Sequence, residues 1–145
     1  MSVEHNAAKY KIVAVLNKTL EPGTAMNAVA HMVAGLVASA SEELREKMSF
    51  IDFPDRNEIV HSSISALSLI VLRGTSNEIR KIRDKARENN LHFVDFLETM
   101  TGDTYKEQLE KTQAVAYGEL NFYGITIFGE KEVIDPITKR QSLWK

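Results

Sequence analysis

Lys9 to Leu36 reads KYKIVAVLNKTLEPGTAMNAVAHMVAGL, and this stretch decides the fold class. Ile12, Val13, Val15 and Leu16 make a near-continuous apolar run, as in a strand buried on both faces of an α/β sheet. Asn17 ends the run. Pro22-Gly23 supplies a turn, with one fixed φ followed by a permissive residue. Thr24 is the expected N-cap of the helix that follows. Met26, Val29, Ala30, Val33, Leu36 and Val37 recur at helical spacing as one apolar stripe. Asn27, Ala28, His31, Ala34 and Gly35 lie between its edges. The small residues among them admit a close neighbour: another backbone, a ligand or a second subunit.

Upstream of this unit, Met1 to Ala8 reads as a loose lead-in with His5 exposed. Downstream, the helix is expected to reach about Ala40, with a further helical turn from Ser41 toward Met48. Met48 to Asp52 suits an edge strand or a packed loop, and Pro54 to Asn57 a turn. Ala66 to Leu72 (ALSLIVL) reads as the second core strand. Thr75 and Glu78 have capping-box spacing and open a helix that runs to about Asn89. Leu91 to Leu97 is the third strand and Thr104 to Thr112 a short helix. Leu120 to Phe128 is the fourth strand, where Gly124 signals a bulge or a close backbone approach. The tail from Val133 to Lys145 carries few regular signals. Strand and helix alternate, which is an α/β order.

The 145 residues are the size of one domain, 1–145, and 43% hydrophobic with 26% charged residues is a globular composition. There is no cysteine, which excludes thiolate chemistry and cysteine zinc sites. The formal charge of -2 lacks the strongly basic footprint of a nucleic-acid or membrane binder. No apolar span of membrane length is present, and MSVEHNAAKYK has no apolar signal region. The expectation is a cytoplasmic protein with no membrane partner. The sequence contains no G-x-S-x-G, H-E-x-x-H or glycine-rich phosphate loop. His61 and His92 have no metal-ligand spacing, so neither a metal nor a cofactor is expected.

The pattern K-x-V-x-V-x-N, a glycine loop and a histidine eight residues after that glycine resembles the type-two peptidyl-tRNA hydrolases. The likeness is closer to an uncharacterised bacterial family of the same fold. Its marks are Asn17, Gly23, Asn27, His31, Leu72-Arg73 and the run LNFYGITIFGEKEVID from Leu120. It covers nearly the whole chain. The resemblance implies a single α/β domain with a four-stranded, mostly parallel mixed sheet and helices on both faces. It also implies a homodimer, for which Ala28, Ala34 and Gly35 offer a close-packing face.

His31 is the leading candidate for chemistry, because an imidazole can take a proton from water near neutral pH. It aligns with the site histidine of the hydrolases. Asn27 lies one turn earlier on the same side of the helix, placed to orient the ring or hold a ligand. Asp103, in TGDT like the acidic loop of the hydrolases, and Asp95 are the carboxylates expected to meet His31; Glu98 is a third. Asn17, Gly23 and Thr24 complete the ligand-binding set, with Asn17 also suited to holding the loop. The resemblance departs at two positions: Thr24 stands where the hydrolases have lysine, and Ala28 where they have glutamine.

Two functions follow. The first is hydrolysis of an ester or amide, such as a peptidyl or aminoacyl adduct of tRNA, with His31 as base and Asp103 or Asp95 orienting it. The second is a non-catalytic small-molecule binding or regulatory module that keeps the cleft without the lysine.

Overall fold

The chain folds as a mixed α/β domain in a computed structural model that describes residues 2–145. Its centre is β1 (Tyr10–Asn17), with neighbours on both edges. The elements around it are α1 (Val3–Lys9), α2 (Pro22–Ser39), α3 (Glu42–Lys47), β2 (Phe50–Pro54), β3 (Val60–Ser65) and β4 (Leu69–Gly74). Then come α4 (Ser76–Glu88), β5 (His92–Leu97), α5 (Tyr105–Gln113), β6 (Phe122–Glu130), α6 (Lys131–Thr138) and β7 (Ser142–Leu143). The main sheet has five strands in the order β5-β6-β1-β4-β7, and β2 with β3 forms a separate two-stranded hairpin.

The expected count of four strands and the mostly parallel pairing are both corrected. Among the described residues only β1 and β4 pair in parallel; β6 enters between β5 and β1 antiparallel to each, and β7 is antiparallel to β4. An apolar run looks the same whichever way its strand points, so the direction of β6 had no sequence signature. β7 spans two residues, too short for any period to show.

β1 is buried throughout because its two faces serve two cores. Val13 and Val15 pack with Ile79, Ile82 and Ala86 of α4 and Ile134 of α6. Ile12 and Leu16 point the other way, toward Leu36 and toward Ala28 and Met32 of α2. Helices therefore lie on both faces, as expected. The capping box at α4 forms as read: Thr75 Oγ1 accepts from the Glu78 N–H at 3.2 Å, and Glu78 Oε1 accepts from the Thr75 N–H at 2.9 Å.

Four local expectations fail. The lead-in is a helix from Val3, capped by Ser2 and tied down by buried Asn6, whose amide donates to Ser49 Oγ at 2.8 Å; Met1 lies outside the described residues. The tail is not irregular but forms α6 and β7. Thr24 is not an N-cap: α2 starts with Pro22 after Glu21, because proline's fixed φ suits the first helical position. The buried face of α2 is also rotated from the expected stripe. Ala25, Ala28, Met32 and Leu36 meet the sheet, while Met26 is 65% exposed. The small residue Ala28 is fully buried, and Gly35 lies 3.5 Å from Val94 by its virtual Cβ. Those two residues bring α2 onto the sheet rather than onto another subunit.

Candidate functional site

The amino end of α2 and the segment after β5 meet at the carboxyl ends of the parallel strands, where open α/β sheets hold ligands. α2 crosses this end with His31 exposed on the β5 side. The His31 ring lies over Phe96 at a centroid distance of 5.7 Å, and Phe96 stacks in turn with Tyr123 at 6.5 Å. His31, Asp95, Phe96, Met100 and Gln108 line an open cleft of about 410 Å³. At the far end of the row, burial and then the Glu98 carboxylate push the Tyr123 phenol above its usual range. Glu98 also accepts from Asn121 Nδ2 at 3.0 Å.

The expected residues do not all converge. Asn27 is exposed, one turn before His31 on α2. Asp95 lines the same cleft as His31 but makes no hydrogen bond or ion pair with it among the described residues. Val94 and Phe96 face α2, so Asp95 between them faces α4, where Arg83 donates to its carboxylate. Arg83 is itself held between the rings of Phe93 and Tyr117, at 5.2 and 5.3 Å. Asp103 sits in the loop before α5 with φ +53°, a left-handed conformation that aspartate tolerates, and pairs with Lys111 at 3.0 Å. It does not line the His31 cleft.

Asn17 is buried and fully used by the fold. Its Nδ2 donates to the Phe122 carbonyl at 2.9 Å, and its Oδ1 accepts from Thr19 N–H and Thr19 Oγ1 at 3.0 and 2.7 Å. Gly23 is exposed in the first turn of α2 without a positive φ, and a Cβ there would meet nothing within 4 Å. Its position therefore does not demand glycine. Thr24 is half-buried in the same turn. Among the described residues the hydrogen-bonded imidazoles are His61, on Asp55, and His92, on the Leu36 carbonyl and Ser39; His31 is not one of them.

Sequence reasoning missed Phe96, Tyr123, Met100 and Gln108. Phe96 was legible in principle, since strand alternation puts it and Asp95 on opposite faces. Gln108 carried no signal. A second recess of about 250 Å³ lies at the ends of β1 and β4, where Lys18, Arg73 and Arg140 gather around Glu78. That carboxylate already accepts from Gln141 Nε2 at 2.9 Å and from the Thr75 N–H. A recess of about 520 Å³ opens at the other end of the sheet beside Tyr10, His92 and Glu130, away from every expected residue. Among the described residues no three His, Asp or Glu side chains gather as a metal site.

Residues 10–145 match the model of a protein family described as a protein of unknown function, DUF2000. The chain belongs to the DUF2000 family. A solved structure of the same architecture is that of a protein of unknown function, Atu0240, from Agrobacterium tumefaciens strain C58. It is 20% identical, covers 92% of this chain and 96% of its own, and superposes with a TM-score of 0.77. That likeness shows the fold of this DUF2000 member. No curated protein matches the chain. No helix among the described residues is long and apolar enough to cross a membrane.

Proposed function

We propose that this DUF2000 protein is a non-catalytic binding module for a small planar molecule, with the ligand in the cleft between His31 and Gln108. The observation that carries the reading is that His31 is exposed against Phe96 and bonded to no carboxylate, the Asp95 that lines the same cleft being held by Arg83. A histidine that acts as general base is held by a partner on its far nitrogen. Here Asp95 is engaged by Arg83 and Asp103 by Lys111. What remains is a stacking ring, two ring nitrogens and the far side of a glutamine amide. That set suits a heteroaromatic ligand, stacked on the imidazole and hydrogen-bonded at its edge.

A second reading is hydrolysis of a peptidyl or aminoacyl ester on tRNA with His31 as base. Exposed His31 and Asn27, one turn apart on α2, favour it. The mixed sheet with helices on both faces also agrees with kinship to the type-two peptidyl-tRNA hydrolases. Thr24 in place of their lysine removes a charge that would steady a developing oxyanion. The reading includes a cytoplasmic homodimer.

The test joins two measurements on wild type and His31→Ala: peptidyl-tRNA turnover, and adenosine titration followed by NMR at the His31 and Phe96 rings. The expected result is turnover no faster than buffer and ring shifts that vanish in the variant. Turnover lost in His31→Ala overturns the binding reading in favour of the hydrolase. Neither turnover nor ring shifts overturns both.

A further inference from the structure

The β2–β3 hairpin stands away from the body of the protein. Beyond its own pairing it makes only marginal contact with any other helix or strand. Ile51 pairs with Ile64 and Pro54 with Val60, with a register shift in the ladder between the two pairs. Ile64 is 62% and Val60 59% exposed, with Ile59 beside them at 60%. Phe50 and Phe53 are exposed on the same hairpin. A two-stranded hairpin is marginal in water unless something packs against it. Single exposed apolar residues carry no message, but a contiguous patch marks a contact surface.

A second bare surface lies on the α2 side of the sheet. α2 covers β5, β6 and part of β1, leaving β4 and β7 open there. The parallel register puts Leu69, Val71 and Arg73 on this face, level with Ile12, Ala14 and Leu16. Leu69 is 45% exposed; Val71 and Trp144 are half-buried beside Val29, and Met26 stands exposed on the rim of α2. At the end of this ledge Lys18, Arg73 and Arg140 form no ion pair with another side chain among the described residues. The hairpin carries a net opposite charge, with Asp52, Asp55 and Glu58 against Arg56, and its Asp55 is already held by His61.

The surface area says how much is left uncovered. The chain exposes 8973 Å², whereas a compact monomer of 16.3 kDa exposes roughly 7,500 Å². The difference is on the order of 1,500 Å², and a stable interface takes about 800 Å² from each partner. We infer that a second copy of this chain supplies the cover: the β2–β3 arm of each protomer lies across the β4–β7 ledge of the other. A two-fold axis makes the exchange reciprocal, so each arm and each ledge is buried once. The arm is long enough, since five to six extended residues reach about 17–20 Å and two strands span only about 10 Å. The inference deepens the homodimer reading and is independent of what occupies the His31 cleft.

The chain has no cysteine, so introduced thiols report without background. The experiment takes wild type, Ile64→Lys and Leu69→Glu through sedimentation velocity over a concentration series, then oxidises an equimolar mixture of Ile64→Cys and Leu69→Cys. The expected result is a wild-type dimer, a dissociation constant raised at least ~30-fold in each charge variant, the weight of one interface hot spot, and one disulfide joining the two different cysteine variants. Both charge substitutions are at exposed positions, and unchanged circular dichroism confirms that the variants are folded. A wild-type monomer at every concentration overturns the homodimer and the arm together. A dimer that persists unweakened in both charge variants, or that cross-links only Ile64→Cys to itself, overturns the arm exchange and leaves the homodimer standing. An internal disulfide in the doubly substituted chain places the arm on its own ledge and also overturns the exchange.

Discussion

Asp95 and Arg83 form an ion pair on the α4 face of the sheet, opposite the face where Phe96 meets His31. Their side chains are 17% and 25% exposed, so water screens the pair only in part. The Arg83 guanidinium sits against the rings of Phe93 and Tyr117 and also reaches the Tyr117 hydroxyl, which donates to Asp84 at 2.5 Å. This is a brace joining α4, β5 and the turn at Tyr117. Asp95→Ala leaves a guanidinium without its acceptor. The expected cost is about 2 kcal/mol, typical of a hydrogen bond to a charged group. That corresponds to a fall of about 6 °C in melting temperature for a chain of this size. Ring shifts of His31 on adenosine addition stay as in wild type. A stable Asp95→Ala protein with an altered His31 response would show that the carboxylate serves the cleft after all.

Gly124 lies where α2 presses on β6. A Cβ built there would meet Met32 Cε at 2.7 Å, Leu16 Cδ2 at 3.0 Å and the Val15 carbonyl at 3.1 Å. Met32 is a flexible tip, but the carbonyl belongs to the neighbouring strand and cannot move alone. The strand opposite carries a register shift between Phe96 and Leu97, beside the pair Phe96 and Gly124. Gly124→Ala is therefore an overpacking change, expected to cost about 1–3 kcal/mol in urea unfolding. Gly23→Ala is the control: it meets open space, and alanine is the better helix former, so stability holds or rises by roughly 1 kcal/mol.

These residues also show what the sequence could reveal. β1 was legible because both of its faces are buried, so Ile12 to Leu16 had to be apolar without a break. The start of α4 was legible because the capping box is local chemistry between Thr75 and Glu78. The close approach at Gly124 was flagged by a glycine in the middle of a strand. The inner face of α2 was not legible. Its residues are apolar or small nearly all round, so several stripes fit, and only contact with Val94 and the sheet puts Ala28 and Gly35 inside and Met26 outside. The pairing of the Asp95 carboxylate with Arg83 was hidden for a related reason. Choosing the face of a strand residue needs the packing of its neighbours, and every residue from His92 to Asp95 is half-buried.

Glu78 links the fold to pH. The Thr75 backbone N–H, helped by the Thr75 hydroxyl, Gln141 and Lys18, outweighs partial burial and holds this carboxyl below its usual value of 4.5. A group with a lowered folded pKa stabilises the protein when ionised. Its contribution is complete above the unfolded value and is lost as pH falls through the folded one. The Glu78 contribution to the urea midpoint is therefore expected to be steady above about pH 5 and to fall below the ordinary carboxyl range. Glu78→Gln keeps the capping acceptor without the charge, so it should be less stable than wild type at pH 7 and the gap should close toward pH 3. A constant gap across that range would assign the effect to the Gln141 hydrogen bond rather than to charge.

His31 and Phe96 touch, yet their substitution should separate packing from recognition. Phe96 is 7% exposed and packs with Leu16, Ala28 and Met32 beneath α2. Phe96→Ala opens a cavity there and is expected to cost about 3–5 kcal/mol. His31 is exposed and bonds to nothing within the chain among the described residues. His31→Ala is therefore expected to stay within about 0.5 kcal/mol of wild type in urea unfolding, the range of an ordinary surface substitution. A residue that can be removed without loss of stability, but whose removal abolishes the adenosine shifts, is held at that position for its ligand. A drop in His31→Ala approaching that of Phe96→Ala would make the imidazole part of the α2 packing, and the cleft would lose its claim as the binding site.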